Sequence, residues 1–167
     1  GEGLGNQFLS NIRLTDAICH VVRCFDDPNI THVEGSVDPI RDIEIINLEL
    51  IMADLQTVEN RLGKVERKAQ TNKDKDAIRE VSVLKKLQEA LLEGKAARSV
   101  ELDKEELAIV KAFSLLTLKP MIYVANMSDE EIMEPEANPY YQAVKAHAEA
   151  ENNMVVPICA KIEEELS

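Results

Sequence analysis

No run of apolar residues in this 167-residue chain is long enough to span a bilayer, so no membrane segment is expected. The opening residues, GEGLGNQFLS, have neither a basic start nor an apolar block and do not read as a signal peptide. They also lack an initiator Met and begin in a loop-like stretch, from which a fragment of a longer chain is expected. Basic residues are outnumbered by acidic ones, 19 against 31, and a net charge of −12 makes general attraction to phosphate backbones poor. Cysteine is sparse and odd in number: Cys19, Cys24 and Cys159 lie in apolar, strand-like runs and read as reduced thiols of a cytoplasmic protein. On a strand, His20 and Cys24 would stand about 13 Å apart, too far to share a metal. The sequence also has no G-x-x-x-x-G-K followed by Ser or Thr. It therefore offers no backbone nest and Lys for the β- and γ-phosphates of a nucleotide, and no adjoining hydroxyl for Mg2+. Neither catalytic nor metal-binding residues are assigned.

What is present, 45% apolar and 30% charged residues, fits one ordinary domain with its own core, or a small domain carrying a long insertion. Residues 7–14 have the pattern of a short amphipathic helix. Residues 17–25, AICHVVRCF, are apolar and β-branched, which predicts a strand buried on both faces. Residues 26–38 contain Pro28 and Gly35 and read as a loop. Residues 121–125 read as a second buried strand and 154–159 as a third strand. Helices are expected over 104–116, with Asp103 as the cap, and over 139–151, with a last acidic helical turn at 161–166. Strands alternating with helices predict an α/β fold with a parallel sheet.

Between the first two strands the period changes. Asp38 can cap a helix that has Pro39 at its first position, and the helix continues past Gly63 to about Gln70. Within it Leu48, Ile51, Leu55, Val58, Leu62 and Val65 step by three and four in the manner of a heptad seam. A polar turn at 71–76 leads to a second helix carrying Ala77, Val81, Leu84, Leu87 and Leu91 and ending near Gly94. The two predict an antiparallel coiled-coil hairpin with a longer arm of roughly 40 Å. Arg61, Lys64, Arg67, Lys68, Lys73 and Lys75 gather toward its tip, the one locally basic region of an acidic chain. That region suits RNA or an acidic protein surface; a solvated helix face accounts for it equally well.

The loop after the second strand, Asn126-Met127-Ser128-Asp129, has the Asn and Asp spacing of a purine-reading loop with Met where Lys is usual. Taken alone, Asn and Asp here would simply cap a turn. Its position after a buried strand, and a Cys159-Ala160-Lys161 loop after the next strand, favour the purine-reading alternative.

The stretches GEGLGNQFLSNIRLTDAICHVVRCF, ITHVEGSVDPIRDIEIINLELIMADL, KPMIYVANM and VVPICAKIEEEL together resemble the YchF family of Obg-like ATPases. The resemblance covers essentially the whole chain. It implies a partial Ras-like P-loop NTPase domain of three parallel strands with helices, interrupted by the helical hairpin. Residues 1–38 and 101–167 would belong to the nucleotide-binding domain and 39–100 to the insertion, with the P-loop and a β-rich C-terminal domain lying outside. It also implies binding and hydrolysis of ATP or GTP with Mg2+, and association with ribosomes. Carried onto this sequence, Asn126, Met127 and Asp129 with Cys159, Ala160 and Lys161 would meet the base, and Gly1, Gly3 and Gly5 would lie in the switch segment. Asp129 stands where the family usually has Glu, and a carboxylate at that place accepts from guanine N1 and N2; a site that does not rely on it admits adenine. ATP is expected over GTP. Without phosphate-binding motifs the chain alone is expected to be inactive. In a Ras-like sheet the strand at 17–25 pairs with the P-loop strand, so its edge would be free for self-association. Two other functions fit the same residues: a non-catalytic module whose hairpin docks on a ribosomal or protein partner, and a free-standing coiled-coil scaffold.

Overall fold

The computed structural model describes residues 16–25, 37–72 and 74–159. The expectations for residues 1–15 and 160–167, which include Gly1, Gly3, Gly5, Ala160 and Lys161, and for the loop over 26–36, lie outside the described residues, as does Lys73. In chain order the elements are β1 (Ile18–Arg23), α1 (Pro39–Asn72), α2 (Lys75–Leu92), α3 (Lys104–Lys111), β2 (Met121–Asn126), α4 (Pro139–Ala150) and β3 (Met154–Ile158). The described residues fall into a helical unit over Ile46–Lys119 and a sheet unit drawn from Ala17–Ile45 and the residues after Lys119.

α1 starts at Pro39 because Pro needs no backbone donor there and the Asp38 carboxylate accepts from Arg41 N at 3.1 Å. It runs unbroken through Gly63 to Asn72, so the turn is shorter than the expected 71–76: Asp74 already caps α2, accepting from Asp76 N at 2.9 Å. α2 ends where Gly94 takes φ of 80° and Lys95 N returns to Ala90 O at 2.9 Å, closing the last turn. Ile51, Val58 and Leu62 pack with Val83, Leu84, Leu87 and Leu91 in one cluster. Leu48, expected in that seam, is instead 54% exposed.

The helical unit continues past residue 100, where the insertion was expected to end, because α3 contributes to the same core through Val110, with Leu115 just beyond it. A capping box starts α3, Glu106 N donating to Asp103 at 2.8 Å and Asp103 N to Glu106 at 3.2 Å. α3 stops at Lys111, short of the expected Leu116, and the chain turns through Ser114 with φ of 51°. The reason lies 62 residues back in α1. The fully buried Asp54 carboxylate accepts from Leu116 N and Thr117 N, both at 2.7 Å, and from the Thr117 hydroxyl at 2.6 Å. Those bonds hold residues 116–117 in a separate turn, and the Thr117 oxygen in turn accepts from Ala97 N at 2.8 Å.

In the sheet unit three parallel strands pair in the order β1-β2-β3. Ile18 lies opposite Met121 and Arg23 opposite Asn126, while Ile122 lies opposite Met154 and Asn126 opposite Ile158. Ile18, Val22, Met121, Tyr123 and Ala125 are buried, as are Tyr141, Val144 and Ala148 of α4, which packs on β2 and β3. The alternate residues differ: Cys19 is exposed, Val21 is 59% exposed and Met154 64%. β1 is therefore buried on one face, and the expectation of two buried faces is corrected.

Candidate functional site

All three strands point the same way, so their carboxyl ends lie side by side. Arg23 and Cys24, Asn126 and Met127, and Ile158 and Cys159 meet at one end of the sheet. Open α/β sheets bind ligands at this end, where the loops leave the strands. Two backbone bonds extend the ladder into the loops: Cys24 N donates to Asn126 O, and Met127 N to Ile158 O, both at 2.8 Å. They bring Asn126 and Met127 next to Cys159, two loop starts separated by more than thirty residues in sequence.

Beyond β2 the chain turns tightly. Ser128 O accepts from Ile132 N at 3.1 Å and Ser128 Oγ from Glu131 N at 3.3 Å. The turn leaves Asp129 and Glu130 exposed. Asn126 is half-buried, whereas Met127 is only 1% exposed and Cys159 7%. The Met127 side chain is thus core, and what that residue presents to the loop side is backbone. Burial first, with the nearby Glu131 carboxylate second, pushes the Cys24 thiol up to about 12, so it stays protonated and is no nucleophile at neutral pH.

Two residues of this end, Arg23 and Asn138, were not singled out from the sequence. Arg23 sits with its guanidinium 5.0 Å from the centre of the Phe25 ring, and its Nε and Nη2 are enclosed with no hydrogen-bond partner. Asn138 is 4% exposed and caps α4, accepting from Tyr140 N at 2.8 Å and Tyr141 N at 3.3 Å. Its amide nitrogen donates to Cys24 O at 2.8 Å and to the Glu131 carboxylate. The Asn-Pro pair at 138–139 signals the cap; nothing local signals the bond to β1, 114 residues earlier.

A second polar group lies away from this end. The Tyr123 hydroxyl donates to Glu151 at 3.0 Å, and the Tyr123 ring lies 6.0 Å from His20 and 5.8 Å from His147. Asn153 also donates to Glu151, at 2.9 Å. These bonds tie the C-terminus of α4 to β2. Among the described residues no three His, Cys, Asp or Glu side chains gather closely enough to hold a metal.

No family model matches the chain. The Ribosome-binding ATPase YchF of Bacillus subtilis is 54% identical over 167 residues, which are 100% of this chain and 45% of that protein. Its namesake in Escherichia coli O157:H7 is 47% identical over 167 residues with the same coverage. Among solved structures, the YchF GTPase of Schizosaccharomyces pombe matches with a TM-score of 0.87 and 35% identity, covering 99% of this chain and 46% of that one. Matched along its whole length by sequence and by fold, and spanning a little under half the length of these relatives, the chain belongs to the YchF family.

Proposed function

We propose that the chain is the base-reading part of a nucleoside-triphosphate hydrolase that associates with ribosomes in the cytoplasm, the helical unit being an insertion into its nucleotide-binding domain. The observation that carries this proposal is the pair of 2.8 Å bonds, Cys24 N to Asn126 O and Met127 N to Ile158 O, which draws two loops together at the carboxyl ends of parallel strands. Relatives named ribosome-binding ATPases support it. Among the described residues no helix is long and apolar enough to cross a membrane.

In this proposal Asn126 contacts the N7 side of a purine and Met127 offers its backbone. Cys159, Ala160 and Lys161 form the second loop. Asp129 accepts from N1 and N2 when the base is guanine. ATP is the favoured nucleotide, because without the usual Lys at position 127 the grip on guanine rests on Asp129 alone. The triphosphate and its Mg2+ are assigned to segments that carry a P-loop, a reading supported by the absence, among the described residues, of three His, Cys, Asp or Glu side chains gathered closely enough for a metal. Gly1, Gly3 and Gly5 belong to the switch segment.

The test compares MgATP binding by the 167 residues alone with binding by the same residues placed in the Bacillus subtilis relative in exchange for the aligned segment. Weak, magnesium-independent binding is expected of the chain alone and tight, magnesium-dependent binding of the exchange. Tight magnesium-dependent binding by the chain alone would refute the assignment of the phosphate site elsewhere.

A second proposal, docking through the hairpin without nucleotide, draws on Lys64, Arg67 and Lys68, which are exposed near the tip. Arg61 is exposed as well but already engaged, since it pairs with Glu80 and lies 5.8 Å from the centre of the Phe113 ring. Charge reversal at the three lysine and arginine positions should abolish ribosome association; unchanged association rules this proposal out. Self-association along the free edge of β1 is expected only for the isolated chain.

A further inference from the structure

The loop that follows Asn126 carries three successive carboxylates, Asp129, Glu130 and Glu131, and the donors of a guanine base can be met by only one of them. The structure treats them differently. All three are exposed, but Glu131 is engaged twice, its backbone N–H by Ser128 Oγ and its carboxylate by the amide nitrogen of Asn138, whereas among the described residues no such bond holds the Asp129 or Glu130 carboxylate. Asn138 is itself fully used. Its oxygen accepts from Tyr140 N and Tyr141 N, which fixes it to the first turn of α4, and its nitrogen spends its two hydrogens on Cys24 O and Glu131. Cys24 O belongs to the residue just beyond β1, next to the end of the strand that pairs with Asn126. A single buried amide therefore joins the helix start, the end of β1 and the far side of the loop.

We propose that Asn138 is a positioning residue for base selection: by clamping Glu131 to the carboxyl end of β1 it leaves Asp129 as the carboxylate presented to the purine. This rests on the purine-reading assignment made above. If the clamp is released, the loop beyond Ser128 can shift by a residue, Asp129 no longer meets N1 and N2, and guanine loses more than adenine, which never used that carboxylate.

The experiment uses the full-length exchange with the Bacillus subtilis relative and reads ATP and GTP affinities together with thermal unfolding. Asn138→Asp keeps the acceptor that caps α4 but removes both donors, and Asn138→Ser keeps a capping oxygen without the reach or the added charge. Glu131→Ala frees the loop from the other side, at an exposed position that plays no part in the cap. Each of the three should lower GTP affinity relative to ATP by about tenfold, the scale of one charge-assisted hydrogen bond. Asp129→Asn is the control for the assignment itself. If it shifts the ratio while the other three do not, the role of Asn138 is overturned and purine reading stands. Should both affinities fall together in the Asn138 variants and Glu131→Ala leave the ratio unchanged, Asn138 is a helix cap and nothing more. If Asp129→Asn also leaves the ratio unchanged, the purine assignment fails and this inference fails with it.

Discussion

The helical unit and the sheet unit solve the same problem, burying apolar residues without stranding polar ones, to different degrees of completion. In the helical unit the core cluster is drawn from α1, α2, α3 and the turns that follow, and its fully buried carboxylate, Asp54, has three donors within 2.7 Å. In the sheet unit one face is packed and the other leaves Val21, Met154 and Val156 exposed. Its polar groups collect at the carboxyl end of the strands, where Arg23 has enclosed nitrogens without partners. The difference teaches which part is specified by its own residues and which part keeps surface of a kind that associates with other surfaces.

The strongest way to break this contrast is Asp54→Ala. It strands Leu116 N and Thr117 N in a dry interior, and we expect a loss of about 3 to 5 kcal/mol in urea unfolding followed by helical circular dichroism. A loss below about 1 kcal/mol would mean that the helical unit does not depend on its buried carboxylate. A milder pair sharpens the same point along α1 and α2. Leu84→Ala, at a fully buried position, should cost about 2 to 5 kcal/mol, whereas Leu48→Ala, at a seam position by spacing but 54% exposed, should stay within about 0.5 kcal/mol. Equal costs would restore Leu48 to the seam.

The smallest effect belongs to the sheet unit and to pH. Burial lowers the pKa of His20, and Asp42 offsets this in part; Tyr123 faces the same ring. The folded chain therefore takes up this proton later than the unfolded chain does. The stability tied to the neutral imidazole is complete above about pH 6.5 and is lost as pH falls through the lowered folded value. His20→Gln should flatten the fall in unfolding free energy on acidification; an unchanged slope would place the titration on another group.

Much of the architecture was legible because its causes are local. Asp38-Pro39 announced the start of α1, Asp103 with Glu106 that of α3, and Gly94 the end of α2, each through a bond reaching no more than a few residues. What spacing did not show has causes that are distant in sequence. Nothing near Asp54 indicates that a carboxylate in α1 will be buried, since its donors come 62 and 63 residues later, and the same bonds end α3 before Leu116. Val21 carries the composition of a doubly buried strand residue, and only the placement of α4 on the other face shows that it is not one. At the candidate site the Asn126 and Cys159 loop starts were visible as strand ends. Met127 was expected to meet the base, and its burial shows only in the structure, where it continues the side-chain alternation of β2; the clamp by Asn138 depends on a contact across 114 residues.

The two-helix arm has one more consequence, and it concerns change over generations. Asp74 caps α2 two residues after α1 ends, so the turn is short and the arms run in step. A matched gain or loss of seven residues in each arm would keep every core side chain in phase and move the tip by about 10 Å. Length is thus a trait that selection can set in discrete steps, as on a ruler, without rewriting the residues at the carboxyl ends of the strands.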